Sequence, residues 1–307
     1  MDSTLASRRE ALGARLVGRT YELDLVLAAV SAGRDLLLEG PPGTSKSTIL
    51  RAITDSWGIP LLFVEGNAEL TPARLVGHHN PARVLREDYS ADNFVPGPLV
   101  TAMQRGGFLY IEELNRAPED TLNALLTAMA EREIEVPRVG RIRASPDFRV
   151  VASMNPFDNV GTTRISASFY DRLCRLAIGY QSVEEDQEIV TLRTASSDAL
   201  LVADAVALTR ATREHRDVRQ GSSVRGAIDI VAVAVSLAAI RNSPLDGDRA
   251  APILDAALVA LSARVRLDET SERSPEEVIR ELWEDHFILR GQRTGAGGRS
   301  VDLPNPI

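Results

Sequence analysis

Residues 35–48 read DLLLEGPPGTSKST, and this stretch decides the fold. Its first five residues form an apolar run of the length of a buried strand, and the residues from Lys46 onward have helical spacing. A loop rich in glycine and proline joins the two. Because the N–H groups and the dipole at a helix start both favour an anion, this order of strand, loop and helix predicts a phosphate-binding loop.

The side chains of the loop indicate which phosphates it binds. Lys46 is the only lysine among 35 basic residues, which indicates a position that needs a compact ammonium group. We expect Lys46 on the β- and γ-phosphates of a nucleotide and the Ser47 hydroxyl on Mg²⁺. The strict motif has glycine at the position of Ser45, where a serine adopts the turn less easily. The predicted nucleotide-binding residues of the loop are Gly40, Pro41, Pro42, Gly43, Thr44, Ser45, Lys46, Ser47 and Thr48. The alternative is a loop that only joins a strand to a helix.

A second apolar run, at 108–113, reads FLYIEE and ends in two carboxylates. Acids at the carboxyl end of a parallel strand lie where α/β folds bind their ligands. We therefore expect Glu112 to support the Mg²⁺ shell and Glu113 to polarise the attacking water. The alternative is a pair of solvated residues at the end of a strand.

Strand-like and helix-like stretches alternate up to about residue 178, which predicts an α/β fold with a mainly parallel sheet. From Ser182, which opens a capping box, only helical patterns follow. Predicted strands are 35–39, 60–64, 108–111 and 148–153, and predicted helices are 20–32, 46–57, 98–105, 118–132, 199–215, 223–241, 249–266 and 275–289. The predicted domains are a core at 1–181 with an insertion at about 67–97, a helical lid at 182–290 and a flexible tail at 291–307.

Composition excludes several classes of protein. The chain has 307 residues, of which 44% are hydrophobic and 25% charged, so it is neither fibrous nor disordered. A net charge of −8 argues against a nucleic-acid partner. The single cysteine, Cys174, is predicted to be buried and excludes an internal disulfide framework. The first 18 residues lack a signal-peptide core, and the longest near-apolar run, 227–240, is too short to span a membrane. We therefore expect a cytoplasmic protein.

Taken with further motifs, the chain resembles AAA+ ATPases, and within them the MoxR-like branch. The motifs that carry the resemblance are LVGR (16–19), GPPGTSKS (40–47), YIEELNRAP (110–118), VVASMNP (150–156), FYDRL (169–173) and GSSVRG (221–226). The resemblance covers about residues 16–290. It implies a P-loop AAA+ core whose parallel sheet is flanked by helices, an all-helical lid, ATP and Mg²⁺ as cofactors, and a homo-oligomeric ring, expected to be a hexamer.

The same resemblance assigns roles to five more residues. Asn155 matches the sensor that orients the attacking water, although an Asn-Pro pair after a strand is by itself a common turn. Arg172 matches the arginine finger that reaches a neighbour's γ-phosphate, and the alternative is a local ion pair with Asp171. Arg225 matches the second sensor, and without the resemblance it is a solvated residue in the first turn of a helix. Val17 and Gly18 resemble the backbone that flanks the adenine. Glu112 stands where the family has aspartate, which together with Ser45 is expected to slow hydrolysis.

The leading functional hypothesis is an ATP-driven chaperone that remodels or matures a partner enzyme complex beside a von Willebrand factor A domain protein. The sequences GTSKS (43–47) and IEELN (111–115) resemble, more narrowly, the accessory ATPase of carbon-monoxide dehydrogenase maturation. Two alternatives remain: a nucleotide-gated scaffold with little hydrolysis, and a nucleic-acid motor or loader. Specificity is expected in the 67–97 insertion and in a hairpin at 134–147.

Overall fold

The computed structural model describes residues 2–13, 15–87, 90–156, 158, 161–243, 245 and 249–289. Contacts divide the chain into two compact units, Met1–Tyr180 and Gln181–Ile307. The predicted flexible tail at 291–307 lies outside the described residues.

The first unit alternates helices and strands along the chain. Its helices are α1 (Asp2–Gly13), α2 (Thr20–Ser31), α3 (Lys46–Trp57), α4 (Pro72–Val76), α5 (Pro81–Glu87), α6 (Pro98–Arg105), α7 (Glu119–Glu131) and α8 (Ala167–Tyr170). Its strands are β1 (Asp35–Glu39), β2 (Leu61–Glu65), β3 (Gly77–His79), β4 (Phe94–Pro96), β5 (Phe108–Glu112), β6 (Glu133–Val136), β7 (Gly140–Arg143), β8 (Arg149–Met154) and β9 (Leu173–Ala177). Short 3₁₀ turns lie at Ala91–Asn93 and Leu114–Arg116.

Five of these strands form one parallel sheet in the order β2-β5-β8-β1-β9. The predicted parallel α/β fold is therefore confirmed. Because β5, β8 and β1 are neighbours and run in the same direction, the residues that follow Glu112, Met154 and Glu39 leave the sheet at the same edge.

Both faces of this sheet are covered. Leu37 and Ile111 belong to a cluster with residues of α6 and α7, whereas Leu36 and Tyr110 belong to a cluster with residues of α2 and α3. All four side chains are at most 2% exposed. Successive strand residues point to opposite faces, so a strand buried on both sides has a continuous apolar sequence. For this reason DLLLE and FLYIE are recognisable as strands from sequence.

The 67–97 region is folded rather than an open loop. It contains α4 and α5, and its strands β3 and β4 pair in an antiparallel register. Leu70 and Leu75 anchor it, because both lie in the core cluster against α6 and α7. The second predicted surface element is also formed: β6 and β7 make an antiparallel hairpin.

The second unit is mainly helical. Its helices are α9 (Val183–Thr194), α10 (Ala199–Glu214), α11 (Val224–Arg241), α12 (Ala250–Leu261) and α13 (Pro275–Glu284), followed by a π-helical turn at Asp285–Leu289. The predicted capping box opens α9: the Ser182 hydroxyl accepts from the N–H of Glu185 at 3.2 Å, and the Glu185 carboxylate accepts from the N–H of Ser182 at 2.8 Å.

The prediction of helices alone after residue 182 was wrong in one place. The strands β10 (Val218–Gln220) and β11 (Arg266–Leu267) form an antiparallel pair, and α12 ends at Leu261 instead of continuing to 266. Arg264 donates to the carbonyl of Ala260 at 2.6 Å, and the β-branched Val265 turns into the core of this unit. Strands this short are too brief to show a two-residue period in the sequence.

Cys174 was predicted to be buried, and it is exposed. It lies on β9, which is an edge strand of the sheet and is paired on one side only, with β1. In the described part of the chain, no helix is both long and apolar enough to cross a membrane.

Candidate functional site

The loop between β1 and α3 bends tightly against the sheet. The Gly40 N–H donates to the carbonyl of Met154 at 3.1 Å. A Cβ atom at Gly40 would lie 2.1 Å from the carbonyl oxygen of Ile178, so only glycine permits this approach. The chain then turns at Gly43, whose φ is 76°, and enters α3 at Lys46. The first N–H groups of a helix have no acceptor within the helix, so the loop closes around a position suited to an anion.

Ser45 adopts the left-handed conformation that glycine provides in the strict motif. It is the N-cap of α3, with φ 65° and ψ 18°. Its carbonyl accepts from the N–H of Ile49 at 3.0 Å, which is the first hydrogen bond of the helix. The left-handed region costs an L-residue about 1–2 kcal/mol, so the turn is formed at some cost in stability.

The Lys46 ammonium lies on the inner side of the loop. It donates to the carbonyls of Gly40 and Pro41, at 2.8 Å each, and lies 3.4 Å from the Thr44 hydroxyl. Thr44 in turn donates to the carbonyl of Pro41 at 2.9 Å. The one lysine of the chain is therefore held at the concave side of the loop, where its charge favours bound phosphate.

The two glutamates after the apolar run separate at the end of β5. Glu112 is the last residue of the strand, and Glu113 turns away in the left-handed region with φ 55° and ψ 46°. The turn packs on Gly66, whose N–H donates to the Glu112 carbonyl at 2.7 Å. A Cβ at Gly66 would lie 2.2 Å from the carbonyl oxygen of Glu113. Gly66 could not be singled out in the sequence, because only the pairing of β2 with β5 brings it there.

The two predicted Mg²⁺ ligands both lie near one side chain, Tyr110 on β5. Its hydroxyl lies 3.5 Å from Oε1 of Glu112, and the pKa of that hydroxyl is raised by burial and lowered by the Ser47 side chain. A carboxylate and a hydroxyl are hard oxygen donors of the kind that Mg²⁺ prefers beside phosphate oxygens. The donor set of this site therefore fits Mg²⁺.

Glu113 is paired with an arginine that sequence reasoning did not single out. Its Oε2 lies 3.1 Å from Nε of Arg116, three residues on, in the 3₁₀ turn that follows β5. The same guanidinium also pairs with the carboxylate of Asp158. The hydrogen bond with Asp158, reinforced by the charge of Glu113, raises the pKa of Arg116. Glu113, the predicted catalytic carboxylate, therefore shares one guanidinium with Asp158.

Asn155 directly follows β8, which lies between β5 and β1 in the sheet. It is half-buried, and its carbonyl accepts from the side-chain amide of Asn115 at 3.5 Å. The sheet order therefore brings the chain at Gly40, Glu112 and Asn155 to one edge. A phosphate loop, an acid and an amide at this edge form a candidate site for phosphoryl transfer to water.

Arg172 lies away from this cluster of contacts and is exposed. Its Nη1 donates to the carbonyl and to the hydroxyl of Ser168, at 2.8 and 2.9 Å, across α8. Within the described ranges no ion pair joins it to Asp171. An exposed guanidinium with only neutral partners remains able to meet an anion outside its own chain.

Val17 and Gly18 lie in the turn that joins α1 to α2, and both are half-buried. Gly18 has φ 65°. The next residue, Arg19, is 3% exposed and holds this turn in place: it pairs with Glu22 at 2.6 Å and donates to the Gly179 carbonyl at 2.7 Å. Arg225, in contrast, belongs to the second unit, where it is exposed in the first turn of α11.

A further buried acid fixes the start of the loop. Glu39 is 3% exposed and forms two contacts with Arg175 on β9, at 2.6 and 2.5 Å. These contacts involve Nε and Nη2 of the arginine and the same carboxylate oxygen. A carboxylate can be buried at this depth when a guanidinium pairs with it. The sequence contained one signal for this residue, since an acid ending a continuous apolar strand requires a partner.

Comparison with known proteins agrees with this geometry. The sequence profile of the AAA domain, dynein-related subfamily, matches residues 35–173, which contain the loop, both glutamates and Asn155. A gas vesicle ATPase of Halobacterium salinarum, GvpN2, is 27% identical over 280 residues, which are 85% of this chain and 76% of that protein. The gas vesicle ATPase GvpN of Ancylobacter aquaticus is 27% identical over 226 residues, which are 68% of this chain and 62% of that protein.

Among solved structures, a candidate ATPase from Cytophaga hutchinsonii superposes with a TM-score of 0.50 at 20% sequence identity. The superposition covers 91% of this chain and 92% of that one. At this identity the likeness concerns the fold alone. Fold and profile together show a P-loop AAA+ core followed by a helical region.

Proposed function

We propose that this protein, whose core is an AAA+ domain of the dynein-related type, hydrolyses ATP and uses the energy to remodel or mature a partner protein complex. The observation that carries the proposal is the juxtaposition at one sheet edge of the Lys46 loop, the paired acids that end β5, and Asn155. The edge combines a cation for phosphate, oxygen donors for a metal ion and a carboxylate for water.

Each group has a separate chemical task in this proposal. The loop N–H groups and Lys46 bind the phosphates, which positions the γ-phosphate for attack. Glu113 accepts a proton from the attacking water, and Asn155 orients that water. Ser47 and Glu112 hold Mg²⁺, which when bound neutralises charge on the phosphate oxygens. Val17 and Gly18 flank the adenine.

Assembly into a ring, expected to be a hexamer, completes the site. Arg172 is exposed, and its guanidinium donates to the carbonyl and the hydroxyl of Ser168 on α8, so it is suited to stabilise charge on a nucleotide bound by an adjacent subunit. Arg225, in the first turn of α11, is the residue that the resemblance assigns to the second sensor. Both assignments follow from the match of the surrounding motifs to the MoxR-like branch.

The partner follows from the same branch. We expect a von Willebrand factor A domain protein beside the ATPase and a multi-subunit enzyme complex as the client, of which carbon-monoxide dehydrogenase is the narrower candidate. The chain spans 76% and 62% of the length of the two gas vesicle ATPases above, and their association with gas vesicles is not transferred to it.

Phosphate release from ATP by the purified protein tests the enzymatic part. Lys46→Ala is the matched control, since the chain has no other lysine to replace it. We expect turnover of the parent protein well above that of the variant. Co-purification from the native cell tests the partner: recovery of a von Willebrand factor A domain protein in the presence of ATP supports the proposal, and recovery of the ATPase alone contradicts that part of it.

One observation favours a second candidate function, a nucleotide-gated scaffold with little hydrolysis. Glu113 is held by Arg116 at 3.1 Å, and a carboxylate oxygen engaged in an ion pair is less free to contact the attacking water. In this case the parent protein binds ATP but releases phosphate no faster than Lys46→Ala. The same turnover measurement therefore separates the two functions.

A further inference from the structure

We propose that Glu39 is a positioning residue for Arg172, because its one buried carboxylate contacts the chain on both sides of that arginine. Tyr170 precedes Arg172 by two residues and Arg175 follows it by three, and both side chains contact Glu39. This inference rests on the proposed function, in which Arg172 acts on a nucleotide bound by a neighbouring subunit. Glu39 itself touches no nucleotide in the proposal and acts through Arg172.

The stronger of the two contacts is with Arg175 on the edge strand β9. Nε and Nη2 of its guanidinium lie 2.6 and 2.5 Å from Oε2 of Glu39. Hydrogen bonds between two charged groups are about twice as strong as those between neutral groups. The strand that begins at Leu173, directly after Arg172, is therefore held to the end of β1 by an ion pair in addition to its backbone hydrogen bonds.

The second contact comes from the other side of Arg172. The hydroxyl of Tyr170, the last residue of α8, donates to Oε1 of Glu39 at 3.4 Å, which is a longer and weaker hydrogen bond. Because Tyr170 uses Oε1 and Arg175 uses Oε2, neither contact displaces the other. The buried carboxylate therefore joins the segment before Arg172 to the segment after it.

The short helix α8 needs tertiary support, because it is a single turn. It has four residues, Ala167–Tyr170, and isolated helices shorter than about 12 residues are marginal in water. The Arg172 guanidinium donates to Ser168 on this same turn, so the direction of the guanidinium depends on how α8 is held. A displacement of about 1 Å can lower a rate by about 10²-fold, so an arginine that acts on a neighbour requires a fixed position.

Packing alone does not account for a carboxylate at this place. Phe169 and Leu173 already anchor the segment in the hydrophobic core. Glu39 is 3% exposed and follows three leucines on β1, and a fourth leucine there would avoid the desolvation of a charge. A buried glutamate instead supplies two acceptor oxygens, and these meet Tyr170 and Arg175. The polar contacts are therefore what this residue adds to the packing.

Mixing two inactive variants of the full chain tests the proposal, because each variant supplies a different half of a composite site. Lys46→Ala supplies an intact Arg172, and Arg172→Ala supplies an intact loop, so phosphate release by mixed rings measures the sites that combine the two. Arg175→Lys and Tyr170→Phe are each placed first in the arginine-supplying subunit and then in the loop-supplying subunit. A residue that only stabilises the fold acts equally in both positions.

Arg132→Lys is the matched control. Arg132 lies 3.3 Å from Oδ2 of Asp35, a carboxylate that is 5% exposed and begins the same strand β1 that Glu39 ends. We expect this variant to leave phosphate release unchanged in either subunit. The double variant Glu39→Gln with Arg175→Gln removes both charges, which leaves no buried carboxylate without a partner and keeps the test valid if Arg175→Lys is unstable.

We expect Arg175→Lys in the arginine-supplying subunit to lower phosphate release by mixed rings about tenfold, because a lysine cannot reproduce both contacts of the guanidinium. Tyr170→Phe lowers it about threefold in the same position, and the double variant lowers it at least as much as Arg175→Lys. In the loop-supplying subunit each change is less than twofold. The affinity of each substituted loop-supplying subunit for a fluorescent ATP analogue also changes less than twofold.

Equal losses in the two positions would overturn the proposal, because Glu39 would then act through the fold alone. A loss confined to the loop-supplying subunit, or a tenfold loss of its ATP affinity, would assign Glu39 to its own loop, and unchanged phosphate release in every variant would leave Glu39 no role. Failure of the proposed function has a different signature: mixed rings of Lys46→Ala and Arg172→Ala without further substitutions would release no phosphate, which removes the role of Arg172 and the proposal with it.

Discussion

At the scale of single residues, the site contains side chains in conformations that their types do not favour. Ser45 and Glu113 both have positive φ, at 65° and 55°. Ser45 stands where the loop enters α3, and Glu113 where the chain leaves β5. The left-handed region costs each about 1–2 kcal/mol, which the surrounding loop and sheet offset.

The first prediction concerns how easily the residue at position 45 adopts the left-handed conformation. Ser45→Gly removes the cost of the left-handed turn, whereas Ser45→Val raises it, because a β-branched residue fits that region worst. We expect nucleotide affinity in the order glycine, then serine, then valine, with about a tenfold loss for valine. Binding of a fluorescent ADP analogue measures it.

Ala195 provides the matched control for this series. It also has positive φ, 52°, at the end of α9 in the second unit. Ala195→Gly relieves a comparable strain and is expected to leave nucleotide affinity unchanged. If valine at position 45 binds nucleotide as tightly as serine does, the loop does not hold the left-handed turn when nucleotide is bound.

The residue scale is also where prediction from sequence was most limited. Lys46, Ser47 and the two glutamates could be singled out because their spacing along the chain is typical of a phosphate site. Arg116 could not, since it reads as a charge in a turn. Its contact with Asp158 depends on the folding of a distant segment.

At the scale of elements, ion pairs join the segments that follow β5 and β8. The turn Leu114–Arg116 follows β5, and its Arg116 joins Glu113 to Asp158, four residues beyond the end of β8. The two carboxylates therefore compete for one guanidinium. A change in the position of Asp158 alters how strongly Glu113 is held.

The second prediction follows from this competition. Arg116→Ala frees the Glu113 carboxylate to act on water, so we expect turnover at saturating ATP to rise about two- to fivefold, which is the range for a partly exposed ion pair, with ATP affinity unchanged. Asp158→Asn removes the carboxylate that competes with Glu113 for Arg116. Arg116 then holds Glu113 more strongly, and turnover is expected to fall. Phosphate release measures both. A tenfold loss in Arg116→Ala would instead make Arg116 necessary for placing Glu113.

The strands and helices of the first unit that were predicted with bounds lie within two residues of those bounds, because strands buried on both faces and amphipathic helices give strong, different periodicities. The predicted strand DLLLE and helix 46–57 coincide with β1 and α3. The sequence did not reveal the pair β10 and β11, whose few residues carry no period, or the exposure of Cys174, which depends on the position of β9 at the sheet edge.

At the scale of the whole molecule, the chain consists of two units. Arg225 lies in the second unit, and Arg172 is exposed on the first. The proposal assigns Arg172 to the active site of an adjacent subunit, so the ring and not the single chain is the active species. Assembly then controls hydrolysis, and turnover is expected to rise more than linearly with protein concentration.

The third prediction tests this assignment by mixing two inactive variants. Arg172→Ala is expected to bind ATP nearly normally and to lose turnover, because the arginine stabilises charge in the transition state. Lys46→Ala has an intact arginine but a defective loop. Some interfaces in mixed rings combine an intact Lys46 loop from one subunit with an intact Arg172 from its neighbour. Activity is therefore expected to return in part. Absence of rescue at every mixing ratio, with mixed rings verified by mass, contradicts action on a neighbour.

The central claim is that the edge formed by the Lys46 loop and the end of β5 hydrolyses ATP with Glu113 as the base. Its most direct test compares ATP binding and phosphate release in the parent protein and in Glu113→Gln, which keeps the size of the side chain and removes its charge. The predicted result is normal ATP binding with turnover lower by about 10²-fold or more. Phosphate release by Glu113→Gln at the parental rate would contradict the claim.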